Sequence, residues 1–426
     1  MRAKARNPVQ GRLTIAVLLS CTLSLWLQGC APAVIRQAKS TVQSDAPNAI
    51  RTLGADRRFS TLSAQSVARR LHGLHAEDRL HAGDPLSILA LSGGGADGAF
   101  GAGALVGLTR AGSRPQFSVV TGVSAGALLA PYAFLGAAWD EQLMDIYTTG
   151  TAQHVLQSRG LGALFGSSVY RGTPLKELVD RYATDALIQA VALEAATGRL
   201  LLVATTDVDT GEPVVWDLGS IAMNGGAGAR ALFRDVLLAS ASVPGIFPPA
   251  VIHVQEQEAL YDEVHVDGAI TVPFLVPLAL VEPSALGGSH NTVVYVIVDG
   301  RLSEEALATP LRASTIVARS VSAGLNHMLR TTLELTASNA DLRGAQFQYA
   351  AIPLAYPNLA SFDFRAETMR SLFRYGYGCA RAGRLWISPG SAGDGNAGRV
   401  AAAASPSTPC PRDDESMERF VAALSK

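Results

Sequence analysis

Short, uninterrupted apolar runs that end in glycine clusters or turns recur along the chain. The first run extends from Ser87 to Ser92, and similar runs occupy 117–122, 200–205 and 292–298. Such runs predict strands of a parallel sheet that is buried on both faces. Helical Ala/Leu-rich patterns follow the first two runs, and the second of these helices is predicted over Ala125–Leu135. Strands that alternate with helices predict an α/β fold with a mostly parallel central sheet, covered on both faces.

The pattern divides the rest of the chain into segments. Residues 30–85 are polar apart from the amphipathic stretch Leu62–Leu74, which predicts a tether with one short packing helix. Residues 86–300 hold the strand and helix pattern and form the predicted core. The next segment, 301–387, is predicted as a helical C-terminal part of the same domain. The tail, 388–426, is rich in Gly, Ala, Ser and Pro, so it buries too little apolar surface to order itself.

Two helices are predicted within the C-terminal part of the domain. The pattern looks helical over Glu304–Leu342 and again over Glu367–Arg384. Both are interpreted as peripheral packing elements. Ligands of parallel sheets bind at the carboxyl ends of the strands, where the first two glycine clusters fall.

The amino terminus carries the pattern of an exported bacterial lipoprotein. Basic residues precede an apolar stretch over Leu13–Leu27, which predicts a signal peptide at 1–29. The sequence from Leu27 to Cys30 resembles a lipobox, in which the cysteine thiol is acylated. Cys30 is therefore the predicted lipidation site, and the protein is expected on a membrane of the bacterial cell envelope, the outer membrane in particular. A single transmembrane anchor and simple secretion stay open, although the run is shorter than the ~20 residues of a span.

Composition narrows the classes of partner. The chain of 426 residues is 48% hydrophobic and 17% charged, which is typical of a globular enzyme. Its formal net charge of −1 provides no field that gathers phosphate backbones, so nucleic acid is not expected as a partner. No Cys or His cluster predicts a metal site. In an oxidising compartment Cys379 and Cys410 either pair or remain two unrelated thiols.

A glycine-flanked serine follows the second predicted strand. The segment Gly122–Gly126 fits G-x-S-x-G between a strand and a helix, with Ser124 at its centre and Ala125 next to it. In a nucleophile elbow the serine sits on a strained turn that requires small neighbours. The turn also places Ser124 at a helix N-terminus, which favours developing negative charge. An ordinary glycine-rich turn with an incidental serine is the competing interpretation.

A second glycine cluster closes the first predicted strand. It extends from Gly93 through Gly94 and Gly95 to Gly98. Consecutive glycines let backbone amides converge on an anion, as an oxyanion hole requires. The same glycines satisfy G-x-G-x-x-G of a dinucleotide loop. That alternative calls for an acidic residue at the end of the next strand, where this chain has Thr121 and the serine elbow instead.

The serine needs a base, because a neutral hydroxyl is a weak nucleophile. Asp267, followed by Gly268 and Ala269, ends a strand-like segment at Tyr261–Val266 and is the best candidate. An aspartate before glycine also commonly caps a turn, which is the competing role. A Ser-His-Asp triad stays open as well, with a histidine downstream of the elbow as its second member. The candidate histidines are His253, His265, His290 and His327.

The ordered combination of these motifs resembles the patatin-like phospholipase family. Two further stretches agree with that family: Thr206–Glu212, and Ala239–Pro244 followed by Phe247–Pro249. The resemblance is strong over 86–300 and weaker to about Ala382. It implies a three-layer α/β/α fold and a Ser-Asp dyad that needs no histidine, metal or cofactor. It also implies a lipid acyl hydrolase of the phospholipase A or lysophospholipase type, acting on a lipid or acyl-ester substrate.

The resemblance also assigns roles within the motifs. Ser124 is similar to the family's nucleophile and Asp267 to its base, and the amides of Gly94, Gly95 and Ala125 are the expected oxyanion donors. One position departs from the pattern, since the family often has Arg or Lys where this chain has Asp97. An anionic headgroup is expected to meet repulsion there. An esterase or acyltransferase on other esters, and a non-catalytic surface lipoprotein, remain alternatives.

Overall fold

The described part of the chain contains a ten-stranded sheet, and helices connect many of its strands. The computed structural model describes residues 50–53, 59–62, 85–160, 166–256, 259–277, 292–303, 308–356 and 361–389. The strands among them are β1 (Ile50–Leu53), β2 (Phe59–Leu62), β3 (Leu86–Leu91), β4 (Val119–Val123), β5 (Leu200–Asp207), β6 (Pro213–Asp217), β7 (Ala250–Glu256), β8 (Ala259–Asp267), β9 (Thr292–Val298) and β10 (Gln346–Ala351). The α-helices are α1 (Gly98–Arg110), α2 (Ala125–Leu135), α3 (Asp140–Thr148), α4 (Thr173–Tyr182), α5 (Asp185–Ala196), α6 (Leu218–Asn224), α7 (Gly226–Ser240), α8 (Ala313–Leu342) and α9 (Ala366–Arg381).

The sheet is mixed, with a parallel centre. The strands follow the order β10-β9-β3-β4-β5-β6-β1-β2, and β8 pairs with β5 and β7. Strands β10, β9, β3, β4 and β5 run parallel to one another. Strands β6 and β8 run antiparallel to β5, and β7 runs antiparallel to β8. The carboxyl ends of β3 and β4 therefore lie side by side at one edge of the sheet.

Alternate residues of the central strands point into two separate apolar cores. On β3, Leu89 and Leu91 pack into one core, and Ile88 and Ala90 pack into the other. The first core lies beneath most of the helices, including α1, α2, α5, α7 and α9, and the second lies beneath α8. This confirms the predicted α/β class with helices on both faces of a mostly parallel sheet.

Boundaries agree best where the apolar run is continuous. Strand β9 and helix α2 coincide with the predicted 292–298 and Ala125–Leu135. Strand β4 begins two residues later than predicted, at Val119, and β5 continues to Asp207. The extension of β5 has a tertiary cause, because Asp207 pairs with His265 of β8.

Two short strands lie within the segment that was predicted as a tether. Strand β1 pairs with β6, and β2 pairs with β1, so both belong to the main sheet. Each is four residues long, too short for its pattern to stand out in a polar segment. Leu62 ends β2, and the rest of the helix predicted over Leu62–Leu74 lies outside the described residues. The predicted signal peptide, Cys30 and the tail beyond residue 389 also lie outside them.

The segment predicted as helical, 301–387, contains a strand as well. Strand β10 pairs in parallel with β9, and Tyr349 within it bridges to Ile387. Helix α8 begins at Ala313 rather than at Glu304, because Pro310 interrupts the pattern and its carbonyl accepts the amide of Arg312. Helix α9 occupies most of the predicted Glu367–Arg384.

Glycines bring α9 into backbone contact with α1. A Cβ on Gly103 would lie 2.0 Å from the carbonyl oxygen of Phe373, and one on Gly376 would lie 2.2 Å from that of Phe100. Neither position has room for a larger residue. Helix α1 begins at Gly98, the last residue of the glycine cluster, so this packing holds that end of the cluster in place.

Cys379, near the end of α9, is disulfide-bonded, and its partner lies outside the described residues, as does Cys410. Among the helices that the structure describes, none combines the length and hydropathy of a membrane span.

Candidate active site

Ser124 occupies a strained turn between β4 and α2. Its backbone has a φ of 55° and a ψ of −123°, and it is the one described non-glycine residue with a positive φ. Such a conformation costs about 1–3 kcal/mol. Space around the turn is minimal, because a Cβ on Gly122 would lie 2.4 Å from the carbonyl oxygen of Gly126. A Cβ on Gly126 would lie 2.5 Å from that of Leu91. The local geometry is that of a nucleophile elbow.

Strand β8 brings Asp267 to the same point from the opposite direction. The pairing of β4 with β5 ends where Val123 lies opposite Ala204. Strand β8 continues along that edge of β5, with Asp267 opposite Thr205. Because β4 and β8 run antiparallel along one edge, their carboxyl ends meet. Ser124 follows the end of β4, and Asp267 is the last residue of β8.

The two side chains are in direct contact. The Ser124 hydroxyl donates a short hydrogen bond to Oδ2 of Asp267. Oδ1 of the same carboxylate accepts the backbone amide of Ala269 at 2.8 Å. Both residues are buried, with 5% of Ser124 and 2% of Asp267 exposed. Burial raises the pKa of Asp267 to about 7, although the hydrogen bonds from Ser124 and Ala269 oppose the shift.

Three further residues hold this pair in place. The Ser240 hydroxyl accepts the Ser124 amide at 3.0 Å and donates to the carbonyl of Ala204 at 2.7 Å. The Thr206 hydroxyl donates to the carbonyl of Asp267 at 3.0 Å, and the Asp267 amide donates to the carbonyl of Ser242 at 2.9 Å. These residues lie in the stretches Thr206–Glu212 and Ala239–Pro244, which resemble the family's sequence. The sequence alone assigned no role to their side chains.

The glycine cluster lies against the serine. A Cβ on Gly93 would lie 3.1 Å from the Cβ of Ser124, and one on Gly94 would lie 1.8 Å from the carbonyl oxygen of Asp299. Gly95 has a φ of +60°, which favours glycine. Within the described chain, the amides of Gly94, Gly95 and Ala125 donate no hydrogen bond. Gly93 therefore packs against Ser124, and the amides of the predicted oxyanion donors have no partner among the described residues.

The smaller motif residues have packing roles. A Cβ on Gly268 would lie 2.4 Å from the carbonyl oxygen of Ala204, so only glycine lets β8 turn this close to β5. Gly98 begins α1 beside the Cβ of Ala125, which would lie 3.2 Å from an added Cβ. The Cβ of Ala269 would lie 3.2 Å from a Cβ on Gly93, so the Asp267 turn also contacts the glycine cluster.

Comparisons with known proteins assign this region to a family. The model of the family described as "Patatin-like phospholipase" matches residues 89–278, which include Ser124, Asp267 and the glycine cluster. The chain therefore contains a patatin-like phospholipase domain. It is accordingly a carboxylic ester hydrolase, and the family supports activity as a lipid acyl hydrolase.

Solved structures show more distant likenesses to this patatin-like chain. VipD from Legionella pneumophila is 10% identical with a TM-score of 0.29, and the match covers 81% of this chain and 71% of VipD. Human GIVD cytosolic phospholipase A2 is 11% identical with a TM-score of 0.30, and the match covers 66% of this chain and about half, 52%, of the human one. At these scores neither likeness carries an argument about fold or function. No curated protein matches the chain.

Asp97 stands where the patatin-like family often has a basic residue. The residue is 7% exposed, and its carboxylate accepts a hydrogen bond from the Ser361 hydroxyl at 3.0 Å. Burial raises the pKa of Asp97 to about 6, against the opposing effects of Ser361 and Arg301. Ser361 also accepts the Ala96 amide at 2.8 Å. Asp97 thus joins the glycine cluster of the patatin-like site to the segment that contains Ser361.

A second buried carboxyl group lies behind the same cluster. Asp299 is fully buried, and its Oδ1 accepts the Gly101 amide of α1 at 2.8 Å. Burial raises the pKa of Asp299 well above its usual value, and the charge of Asp97 adds to the shift. Both carboxyl groups therefore keep their protons to a higher pH than an exposed aspartate does.

The candidate histidines that the structure describes form no hydrogen bond with the Ser124–Asp267 pair. His265 is fully buried and contacts Glu263 at 3.1 Å and Thr205 at 3.0 Å. His253 is exposed and pairs with Asp262, and His327 lies on the exposed side of α8. Among the described residues no histidine forms a hydrogen bond with Ser124 or Asp267, and His290 lies outside them. The described residues contain no His, Cys, Asp or Glu group arranged to hold a metal ion.

Proposed function

We propose that this protein hydrolyses lipid carboxylic esters through a dyad in which Ser124 is the nucleophile and Asp267 its general base. The observation that carries the proposal is the hydrogen bond from the Ser124 hydroxyl to the buried Asp267 carboxylate, beside uncommitted backbone amides. A nucleophile in contact with its base and next to anion-stabilising donors is the arrangement that acyl transfer requires.

The first half of the reaction transfers the acyl group to the enzyme. Asp267 accepts the proton of the Ser124 hydroxyl while Oγ bonds to the carbonyl carbon of the ester. The alcohol oxygen then leaves with that proton as the carbon–oxygen bond breaks. With a pKa near 7, Asp267 is largely unprotonated at and above neutral pH and can therefore accept the serine proton. General base catalysis typically increases the rate by ~10²–10⁴-fold.

The negative charge that develops on the carbonyl oxygen needs donors in place before the reaction. The proposed donors are the amides of Ala125, which follows Ser124 in the chain, and of Gly94 and Gly95, which follow Gly93 at its contact with Ser124. Each donor is worth ~10²–10³ in rate. The N-terminus of α2 adds a favourable dipole at the same point. In the second half, Asp267 accepts a proton from water while the water oxygen bonds to the acyl carbon. The bond between that carbon and Oγ of Ser124 then breaks, Oγ receives the proton from Asp267, and the fatty acid leaves.

Phospholipids and lysophospholipids are the proposed substrates. A lipid panel tests this: full-length protein is incubated with phosphatidylcholine, lysophosphatidylcholine, phosphatidylglycerol, a monoacylglycerol and a short-chain ester, and fatty acid release is measured. We expect release from phosphatidylcholine or its lysolipid, and slower release from anionic phosphatidylglycerol because Asp97 carries negative charge above about pH 6. Hydrolysis of the short-chain ester alone would favour an esterase, and acyl transfer to an added alcohol an acyltransferase. No turnover with any ester would favour the non-catalytic lipoprotein.

Attachment to a membrane of the bacterial cell envelope is proposed from the sequence around Cys30. Durable attachment requires more than one acyl chain, since each buried methylene contributes roughly 0.8 kcal/mol. We expect the Cys30→Ala variant to move from the membrane fraction to the soluble fraction after cell lysis, as followed by immunoblot. The Ser113→Ala variant, at an exposed residue of the loop after α1, is the control and should stay with the membrane. Equal membrane recovery of wild type and Cys30→Ala would contradict lipidation at Cys30.

A further inference from the structure

Helix α8 is longer than the sheet on which it packs. Its 30 residues span about 45 Å, whereas the 6 residues of β10 span about 20 Å. The buried apolar residues of α8 all lie in its second half, where they join the core beneath the helix: Leu329, Leu333, Ala337 and Ala340. Among the residues of the first half whose side chains the structure describes, none is buried. The first half of α8 therefore extends beyond that core.

This first half lies toward the edge of the sheet that holds Ser124. The chain leaves β9 at its carboxyl end, Val298, and after α8 it enters the parallel strand β10 at its amino end, Gln346. A helix that connects two parallel strands runs opposite to them, so α8 begins toward their carboxyl ends. Strands β9, β3 and β4 are parallel, and Ser124 follows the carboxyl end of β4. The extended half of α8 and the dyad are therefore on the same side of the sheet's length.

Apolar side chains are exposed on this half of α8. Val317 is 62% exposed and Val321 is 54% exposed, and the two lie one helical turn apart on one face. Ile316 is 43% exposed, and Leu311, just before the helix, is 92% exposed. With about 100° of rotation per residue, Val317 and the buried Leu333 are about 160° apart around the helix. The exposed apolar face thus points away from the core that α8 covers.

The charges of this region have one sign. The sequence from Ala306 to Leu333 contains no Asp or Glu, but it contains Arg312, Arg319 and Arg330. A second copy of the same helix would therefore meet like charge, whereas an anionic lipid surface is complementary. Each arginine near such a surface strengthens binding roughly fivefold. A helix with an exposed apolar face and basic charge is typical of one that lies in a membrane interface.

We propose that the first half of α8 binds the surface of a lipid bilayer that contains anionic lipid. The side chains that enter the bilayer form an apolar tip: Leu311, Ile316, Val317 and Val321. This contact holds the carboxyl edge of the sheet, and with it Ser124, against the membrane. The proposed function supplies the reason for the contact, a lipid substrate, but the binding itself does not require the Ser124 hydroxyl. It is also separate from any acyl chain on Cys30.

A tryptophan in the apolar tip reports contact with lipid. Val317→Trp is compared with Leu193→Trp, because Leu193 is 68% exposed and lies on α5, which packs against the other face of the sheet. Full-length protein is mixed with vesicles of phosphatidylcholine and phosphatidylglycerol, and the fluorescence that each variant adds to that of wild type is measured. We expect the Val317→Trp signal to shift to the blue and to be quenched by brominated phosphatidylcholine, and the Leu193→Trp signal to do neither. An unquenched Val317→Trp signal would overturn the proposal.

A double variant, Val317→Asp with Val321→Asp, tests the strength of binding. Both side chains are largely exposed, so the helix should keep its fold. We expect binding to the same vesicles to weaken by at least about tenfold in co-sedimentation, in the Cys30→Ala background where no acyl chain contributes. Leu193→Asp is the matched control and should bind as its parent does. Arg312→Gln should weaken binding roughly fivefold at low salt and less at high salt, because salt screens the attraction.

Activity measurements separate this proposal from the proposed function. The double variant should hydrolyse a soluble short-chain ester as fast as its parent, but phospholipid in vesicles at least about tenfold more slowly. Ser124→Ala should bind vesicles as wild type does and hydrolyse neither substrate, so an inactive dyad would still leave the binding result decisive. Unchanged vesicle binding and unchanged vesicle hydrolysis in the double variant would overturn the role of α8 and leave the dyad intact.

Discussion

Ser124→Ala is expected to lower kcat for ester hydrolysis by at least about 10⁴-fold, the largest effect of any single substitution in this chain. Removing the hydroxyl removes the atom that forms the acyl-enzyme, and the remaining amides stabilise only a reaction with water. The loss is measured by fatty acid release from the best lipid of the panel. Labelling by a fluorophosphonate probe should disappear with it, because that probe reacts with the same oxygen.

Ser113→Ala is the matched control for this substitution. Ser113 is exposed in the loop after α1, away from the glycine cluster, so activity and labelling should match those of wild type. Circular dichroism should show that all three proteins are folded. Turnover by Ser124→Ala within tenfold of wild type would refute Ser124 as the nucleophile.

The strands and helices that the sequence predicted well are those whose own residues already favour the observed conformation. Strand β9 is an uninterrupted apolar run, and it is buried on both faces, as a central parallel strand must be. Helix α2 was predicted from its Ala/Leu pattern and from the glycine-flanked turn that precedes it. In both cases burial and local propensity favour the same element, so tertiary context changes little.

Helices α3 to α7 were not predicted, and neither was the pairing of β7 with β8, although β8 agrees with the strand-like segment predicted at Tyr261–Val266. Much of α5 and α7 is apolar or small, and their boundaries depend on packing against the sheet and against each other. The Thr184 cap of α5, whose hydroxyl accepts the Leu187 amide, was a readable local signal that went unused. Strand β8 reaches the site because it pairs with the end of β5, beyond the last residue that pairs with β4. No local sequence pattern encodes this pairing.

The candidate site divides in the same way. The elbow around Ser124 follows from its own five residues, because the small neighbours are required sterically. The proximity of Asp267 did not follow from its motif, since an Asp before Gly caps turns in many proteins. The family resemblance selected it. Ser240 and Thr206 act through hydrogen bonds that span 116 and 61 residues, so only the folded chain reveals what they position.

Asp267→Asn is expected to lower kcat by about 10²–10⁴-fold, because a carboxamide cannot accept the serine proton. The amide group has nearly the size of the carboxylate, so Ser124 should keep its place. In wild type, kcat/KM should rise with pH and level off above about pH 7, as the free carboxyl group loses its proton. A plateau that extends unchanged down to pH 5, or full activity in the variant, would exclude Asp267 as the base.

The same substitution should stabilise the protein at high pH. The pKa of Asp267 is about 7 in the folded chain against 3.8 for an unperturbed aspartate, so the folded state binds the proton more tightly. Its contribution to stability is therefore fully present below about pH 3.8 and is lost as the pH rises through about 7. At pH 8 the ionised, buried carboxylate costs up to about 4 kcal/mol, at 1.36 kcal/mol for each pKa unit.

Thermal unfolding of Asp267→Asn and wild type at pH 8 and pH 5 measures this effect. We expect a higher Tm for Asp267→Asn at pH 8 and a smaller difference at pH 5. Asp185→Asn is the matched control, because the pKa of Asp185 is shifted in the opposite direction from that of Asp267. Hydrogen bonding from Arg234 lowers the pKa of the exposed Asp185 carboxyl. Its Tm at pH 8 should be equal to or below that of wild type. If Asp267→Asn loses activity and gains stability at high pH, the charge of Asp267 serves catalysis at a cost in stability. A lower Tm for Asp267→Asn than for wild type at pH 8 would instead show that the ionised carboxylate stabilises the fold.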